Sequence, residues 1–540
     1  MNNNSMGKII VTVMLCILIA LAGCGSQSGL TGGKNESTDS ATKSPEEQTT
    51  EKEKEKMSEE DKQIINGVYN GFLLLAAIPR PSKHEKAISD YLKGWAEEKG
   101  FAVKQNEVYD LIFDVPATKN YEDLPLTALQ AHMDMVCIGE YGKDYKPETD
   151  PITPVLDLEN GTLTADGTSL GADDGAGVAM IMSIVEGRMD HGPLRIIFTT
   201  DEEIDMTGAM AITSEDLRGV KYLINIDSEE SDIVTVSTAA DSTIIAEGKP
   251  DLVPASGETA LRIAISGLSG GHSGVTISDG KCNGIIAVGQ TLNQLKETIP
   301  FSLASFTGGT ANNAIPDKSE AIIVIESKDH KAVEGFIAEK EKQLKESYKG
   351  IEESLALSIT ETDMPSAVLE DSQEKGVLDY VTKSINGPVT MSQDIEGLVE
   401  SSSNMGIIKV DKDGITIRQM PRSSVGDRLK EIEDYQQKLG EECGLKVTII
   451  EGSRPWPVKE DSKIVPKIQE IYHSLTGEEI KVTALHAALE CGAFSELSPE
   501  LDMASIGPDL TDVHSPGETL YLVSVAKVWH LLEELLTSLE

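Results

Sequence analysis

The sequence predicts an α/β protein: a mostly parallel sheet covered by helices, interrupted by an inserted α+β domain. Three observations carry this. Apolar, β-branched runs at Leu126–Ala131, Leu194–Thr200 and Lys221–Ile226 alternate with a helical segment, Asp173–Glu186, whose Val178, Ile181, Met182 and Val185 share one face. After about Ala240 the pattern becomes β-α-β-β-α-β, and a similar order follows from Lys375 to Ile450, predicting an insertion of two related halves. From about Pro455 the first style returns, with a helix at Ser462–Leu475, a strand at Met503–Ile506 and a closing helix at Val523–Leu539.

A chain of 540 residues exceeds what one compact core accommodates. At its start, Lys8 precedes the apolar run Ile9–Ala20, which ends in Leu21-Ala22-Gly23-Cys24. That arrangement describes a secretory signal, and the run is shorter than the roughly 20 residues needed to span a bilayer. The ending resembles a bacterial lipobox, which implies cleavage before Cys24, lipidation of its thiol and an extracytoplasmic, membrane-anchored lipoprotein. Residues 24–62 are rich in Gly, Ser, Thr, Glu and Lys and read as a solvated tether. Gln63–Ala77 is an amphipathic helix ended by Pro79-Arg80-Pro81-Ser82, after which Ser82 and Glu85 have capping-box spacing for a second helix through Lys99. The expected organisation is signal 1–23, tether 24–62, first domain 63–241, insertion 242–454 and a return to the first domain over 455–540.

In the insertion, strands are expected near Leu261–Ile265, Phe301–Phe306, Ala321–Glu326 and Leu355–Ile359, with helices at Asn283–Leu295 and Lys331–Tyr348. The second half reads as a helix around Lys375–Ile385, strands at Met405–Val410 and Gly414–Arg418, a helix at Asp427–Leu439 and a strand at Lys446–Ile450.

The net charge of -43 belongs mainly to the folded part and argues against nucleic-acid binding, since phosphates would be repelled. Of six cysteines, Cys16 and Cys24 lie in the amino-terminal segment. Cys137, Cys282, Cys443 and Cys491 are widely spaced, form no Cys-x-x-Cys pair and read as buried free thiols, with an exported disulfide as the alternative.

Chemistry concentrates in five short segments: Ala131-His132-Met133-Asp134, Gly171-Ala172-Asp173-Asp174-Gly175, Thr200-Asp201-Glu202-Glu203, Asn225-Ile226-Asp227 and Val513-His514-Ser515-Pro516. Most follow directly on an apolar run, and strand ends in open α/β sheets are where ligands gather. His132 and Asp134 are two apart, so one ring nitrogen can bind metal while the carboxylate holds the proton on the other. Asp173 can bridge two ions, although the Asp173-Asp174 pair equally suits a helix cap. Of the neighbours Glu202 and Glu203, one can bind metal while the other faces the attacking water. Each segment alone also has an ordinary structural explanation; all five together suffice for a pair of zinc ions.

Together the segments resemble the co-catalytic zinc metallopeptidases that include carboxypeptidase G-like and aminoacylase-like enzymes, and most closely the aminoacyl-histidine dipeptidase branch. Further stretches carry the likeness: Ile78-Pro79-Arg80-Pro81-Ser82, Asp227-Ser228-Glu229-Glu230, His486-Ala487-Ala488-Leu489-Glu490-Cys491 and Ile506-Gly507-Pro508. The resemblance spans about Ile64 to Glu540. It implies two zinc ions, or manganese or cobalt in their place, with Asp173 bridging, Glu203 and His514 completing one site and His132 and Asp227 the other. It further implies Asp134 orienting His132, Glu202 as general base and a cis Asp173–Asp174 peptide. The insertion becomes a lid that also serves homodimerisation, and His272 in Gly270-Gly271-His272-Ser273-Gly274 stabilises the oxyanion. A cation must hold the substrate's terminal carboxylate, and Arg422 is the candidate.

Two stretches depart from the family pattern. Lys281-Cys282-Asn283-Gly284 replaces a Gly-Arg-Gly-Asn-Ala-like run, and Asn312 stands where Arg is expected. The leading functional expectation is a zinc dipeptidase acting on short unblocked peptides. The alternatives are an N-acyl-amino-acid deacylase or tripeptidase on the same scaffold, and a lipoprotein that binds peptides without cleaving them.

Overall fold

Helix α1 (Glu59–Ala76) starts four residues ahead of the expected Gln63 because Ser58 and Asp61 close a capping box, each side chain bonded to the other's backbone N–H at 2.9 Å. The structure, a computed structural model, describes residues 57–540 except positions 394 and 396. Helix α2 (Lys86–Glu98) does not use Ser82 as its cap. The Ser82 hydroxyl donates to Asp134 at 2.8 Å, and the Glu85 carboxylate accepts the N–H groups of Lys83 and Asp201 at 2.8 and 3.0 Å. The capping-box spacing is real, but Ser82 serves a distant carboxylate and Glu85 takes one neighbouring and one distant N–H.

The first sheet is built from strands β1 (Lys104–Gln105), β2 (Leu111–Val115), β3 (Thr127–His132), β4 (Leu194–Thr199), β5 (Tyr222–Asn225) and β6 (Ile233–Thr238). Two strands from the chain's return, Lys481–Leu485 and Asp502–Ser505, complete it. Its order is β1-β2-β4-β3-β5, then Asp502–Ser505, β6 and Lys481–Leu485. The centre runs parallel from β4 through β3 and β5 to Asp502–Ser505, while β2 against β4 is antiparallel. These central strands are buried on both faces, as their near-continuous apolar runs require. Helix α3 (Ala172–Ser183) packs on the same core with α1 and the closing helix Leu522–Ser538, burying Phe72, Ile181, Trp529 and Leu532.

The second sheet has nine strands. In chain order, eight of them are β7 (Ala240–Gly248), β8 (Thr259–Ser266), β9 (Ser302–Gly308), β10 (Ser319–Ile325), β11 (Ala356–Thr362), β12 (Val399–Val410), β13 (Ile415–Ser423) and β14 (Lys446–Glu451). They lie in the order β11-β8-β10-β9-β12-β13-β7-β14, with the short Gly387–Met391 strand beside β12. The two halves meet where β9 pairs with β12, Phe306 opposite Val410. The strand missing from the expected second half is β7: it precedes the first half in sequence, yet lies between β13 and β14. Helices Gly284–Lys296, His330–Ser347, Asp371–Lys383 and Gly426–Glu442 supply the helical layer, the first capped by Asn283 through the N–H groups of Ile285 and Ile286.

Cys137, Cys282, Cys443 and Cys491 are free thiols, with Cys282 and Cys491 buried.

Candidate metal centre

Because β4, β3 and β5 are adjacent and parallel, their carboxyl ends open on one edge. His132 is the last residue of β3, Glu202 and Glu203 follow β4, and Asp227 stands two residues beyond β5. Asp173 comes from the start of α3, whose cap residue Gly171 takes φ 70°. A Cβ at Gly171 would stand 2.5 Å from Met135 Sδ and 2.8 Å from an Arg80 nitrogen, so glycine is demanded both by the backbone and by space. The Asp173–Asp174 peptide is cis. His514 arrives on the loop between the paired strands Leu510–Thr511 and Thr519–Tyr521, with φ 59°.

These residues converge into two triads that share Asp173: His132, Asp173 and Asp227 form one, and Asp173, Glu203 and His514 the other. His132 Nε2 lies 3.0 Å from Asp173 Oδ1 and 3.3 Å from Asp227 Oδ1. His514 Nε2 lies 3.0 Å from Asp173 Oδ2 and 2.8 Å from Glu203 Oε2. The two oxygens of one carboxylate thus face two different imidazoles. Glu202 joins His132 and Glu203 in a third grouping.

Asp134 works at the rear of this cluster. Its Oδ1 stands 3.4 Å from His132 Nδ1, an ion-pair separation without hydrogen-bond geometry. It also accepts the backbone N–H groups of Glu202 at 3.1 Å and Glu203 at 3.3 Å, so one buried carboxylate faces the imidazole and ties down the Glu-Glu turn.

The electrostatics are those of a crowded acidic site. Burial opposes a charge on His132, but Asp227, Asp134 and Asp173 outweigh it and hold the imidazole well above its ordinary range. Hydrogen bonds to Asp173 and Glu203 raise His514 to about 11. Burial lifts Asp227 to about 6 against the pull of His132. Burial likewise pushes Glu202 well above the ordinary glutamate range, helped by Asp227, Glu203 and Glu490 and resisted by His132. The groupings hold four carboxylates, Asp173, Asp227, Glu202 and Glu203, against two imidazoles, with Asp134 behind His132, and Glu203 Oε1 is buried without a partner. Hard oxygen and imidazole donors with unspent negative charge fit divalent cations.

Several supporting residues were not among the expected site residues. Arg80, within the Ile78–Ser82 stretch, donates to the carbonyls of Met133 at 2.9 Å, Asp134 at 2.7 Å and Gly171. The ambiguous acidic pair divides its work: Asp174 accepts the Gly177 N–H at 3.1 Å as a local cap and the His132 N–H at 3.2 Å, leaving Asp173 for the triads. Glu490 is buried behind β3 and β4, accepts from Thr199 Oγ1 at 2.6 Å and from Gln130, and is lifted to about 8 by burial. Glu518 accepts the backbone N–H groups of Ala172 at 2.7 Å and Asp173 at 3.3 Å. Arg80 and Glu490 lay within stretches already singled out, and Glu518 follows two residues after His514-Ser515-Pro516; each signal was a motif neighbour and gave no role.

Arg422 and His272 are members of neither triad, and the Arg422 charge bears on His272. Arg422 on β13 is buried, reaches Asp241 Oδ2 at 3.4 Å, and its Nε has no partner. His272 Nδ1 accepts the N–H groups of Gly274 and Val275 at 3.2 and 3.3 Å, which leaves the proton of the neutral ring on Nε2. Burial and the nearby Arg422 charge lower the His272 pKa, against a smaller pull from Asp241. His486 Nε2 pairs with Ser402 Oγ at 2.8 Å, and burial together with Arg422 lowers it to about 4.

A carboxyl-edge site of paired carboxylate–imidazole triads beside a further, half-buried glutamate defines the class of metal-dependent hydrolases. The chain belongs to Peptidase family M20/M25/M40, whose model matches residues 128–538. It is 32% identical over 484 residues to the cytosol non-specific dipeptidase of Escherichia coli (strain K12), covering 89% of this chain and 99% of that protein. The crystal structure of aminoacylhistidine dipeptidase from Vibrio alginolyticus superposes with a TM-score of 0.81 at 30% identity, over 88% of this chain and 96% of that one. Aminopeptidase PepT from Bacillus cereus shares the fold at a TM-score of 0.50 and 14% identity, over 88% of this chain and 98% of that one.

The comparison with the Escherichia coli protein corrects the expected location. A relative that matches nearly end to end carries a cytosolic name, which overturns the reading of an extracytoplasmic, membrane-anchored lipoprotein. That reading rested on a short apolar run and Cys24, which lie outside the described residues. Among the described residues no helix is long and apolar enough to cross a membrane.

Proposed function

We propose that this chain is a dinuclear zinc dipeptidase that hydrolyses short unblocked peptides. The observation that carries the reading is the shared Asp173: its two oxygens face His132 and His514, each 3.0 Å away, with Glu202 beside them. The names of the relatives, a non-specific dipeptidase and an aminoacylhistidine dipeptidase, support dipeptides as the substrate class.

His132 and Asp227 would hold one ion, Glu203 and His514 the other, and Asp173 both. When bound, such a pair supplies Lewis-acid polarisation of a peptide carbonyl and a water acidic near neutral pH. Glu202 takes the proton of the attacking water on its carboxylate and delivers it to the leaving amine nitrogen. Asp134 keeps the His132 ring and the Glu202 backbone in place for that transfer. His272, with its proton on Nε2, donates to the oxyanion, a contribution of roughly 3–4 kcal/mol for one good donor. Arg422 has donor capacity to spare and receives the substrate's terminal carboxylate.

Residues 242–454 act as a lid over a catalytic domain made of 63–241 and 455–540. The homodimer implied by resemblance forms through that lid and is tested by sedimentation.

The test of the whole reading is a substrate panel on the zinc-reconstituted chain. Unblocked dipeptides are expected to be cleaved well ahead of N-acetyl amino acids and tripeptides, with activity lost to chelation and restored by zinc. Preference for N-acetyl amino acids would install the deacylase alternative, and peptide binding without turnover would install the receptor alternative.

A further inference from the structure

Four residues beyond His514, the side chain of Glu518 turns inward and is 2% exposed. One oxygen accepts the N–H groups of Leu170 at 2.8 Å and Gly171 at 2.9 Å; the other accepts those of Ala172 at 2.7 Å and Asp173 at 3.3 Å. These N–H groups lead into and begin α3, where a helix leaves donors without intrahelical partners. A residue at the cap position ordinarily satisfies one of them, but Gly171 has no side chain to do so. The capping acceptor comes instead from the loop that carries His514.

That loop is internally braced. Ser515 Oγ donates to the Asp512 carbonyl at 2.6 Å and accepts the Gly517 N–H at 3.1 Å, and the Glu518 N–H reaches the Ser515 carbonyl at 3.1 Å. On the other side of the same backbone, Arg80 grips the Gly171 carbonyl. His514 and Asp173 are therefore joined twice, directly through Nε2 and Oδ2 and indirectly through Glu518.

We propose that Glu518 is a positioning residue for the metal pair: it locks the segment ending in Asp173 to the His514 loop, so that the Asp173–Glu203–His514 triad is preassembled. This rests on the dinuclear reading above. His514 belongs to only one triad, so loss of the lock acts unequally on the two ions. Outer-shell substitutions of this kind cost roughly 10–100-fold in metal affinity.

The test uses the full chain, stripped with a chelator and titrated with cobalt(II), followed by absorbance and by metal analysis after dialysis. Wild-type protein is expected to bind two equivalents. In Glu518→Gln an amide NH2 is set against backbone donors in near-identical volume, and the weaker equivalent is expected to loosen by about 10–100-fold while the tighter one changes several-fold less. Titration well below the melting temperature of the metal-free variant, which is expected to fall because buried donors lose their acceptor, separates this from general unfolding. Should Glu518→Gln not fold, Glu518→Asp, which keeps the charge one methylene short, is expected to loosen the same equivalent by a smaller factor. Two equivalents at wild-type affinity, or equal loosening of both, would overturn the lock alone. A wild-type chain that binds fewer than two equivalents would refute the dinuclear reading itself, and the lock with it.

Discussion

Asp173 and His514 stand 341 positions apart in sequence, yet Oδ2 of one lies 3.0 Å from Nε2 of the other. In the metal-free protein this contact is an ion pair: Asp173 and Glu203 raise the imidazole to about 11, so it is protonated at neutral pH. A cation must displace that proton to bind. Calorimetric loading at pH 7 in buffers of different ionisation enthalpy is expected to report at least one proton released per protein, and affinity is expected to rise with pH. The sign for stability is opposite. Because the folded pKa exceeds the unfolded value near 6.5, this pair stabilises the metal-free chain fully below about 6.5, and the contribution fades as pH climbs toward about 11. The ring is 46% exposed, so the effect is small. Loading that is independent of pH would contradict the pairing.

Glu202 differs from its neighbour Glu203 in having no imidazole nitrogen committed to it, and burial keeps its carboxyl basic. Glu202→Gln is expected to retain both ions and lose about 10²–10⁴-fold in kcat, the usual span for general acid–base catalysis. Near-normal turnover with full metal content would remove it from the role of base.

What the sequence made legible was whatever burial forces into a pattern. Ala131-His132 and Asn225-Ile226-Asp227 end strands buried on both faces, and polar residues at such ends stand out against apolar runs. Asp173 was less legible, because Asp173-Asp174 suits a cap as well as a ligand; in the fold Asp174 takes the Gly177 N–H, Glu518 takes the helix start, and Asp173 is shared by the two triads. Arg80, Glu490 and Glu518 act through backbone groups or buried neighbours far along the chain, and such contacts leave no periodicity to read. Strand β7 escaped notice for a related reason: its partners, β13 and β14, come some two hundred residues later, after the other half of its sheet.

Gly171 combines a left-handed backbone with a Cβ position 2.5 Å from Met135 Sδ. Gly171→Ala is expected to destabilise the folded chain by on the order of 1–3 kcal/mol and to weaken metal binding, because the strain falls two residues before Asp173. Thermal melting with and without zinc checks both parts. A variant with wild-type melting would show that Met135 and Arg80 yield readily.

His514→Ala removes one member of one triad and leaves the His132–Asp173–Asp227 triad whole. Metal analysis is expected to find one tightly held equivalent, with the second loosened by more than the roughly 10–100-fold that an outer-shell change costs. Two full equivalents at unchanged affinity would take His514 out of the ligand set.

Arg422 is a buried guanidinium whose direct carboxylate contact is a 3.4 Å approach to Asp241, and its Nε is unpartnered. A substrate carboxylate would satisfy it with charge-assisted hydrogen bonds worth about 1.5–3 kcal/mol. Arg422→Met is therefore expected to lower kcat/KM for free dipeptides by about 10–100-fold. Dipeptide amides, which present no terminal carboxylate, are expected to be cleaved poorly by both proteins and to show little difference between them. That contrast separates recognition from folding, since a damaged site would slow both substrates. Equal losses on acid and amide would assign Arg422 to holding Asp241 and the sheet around it, and the carboxylate would need another cation.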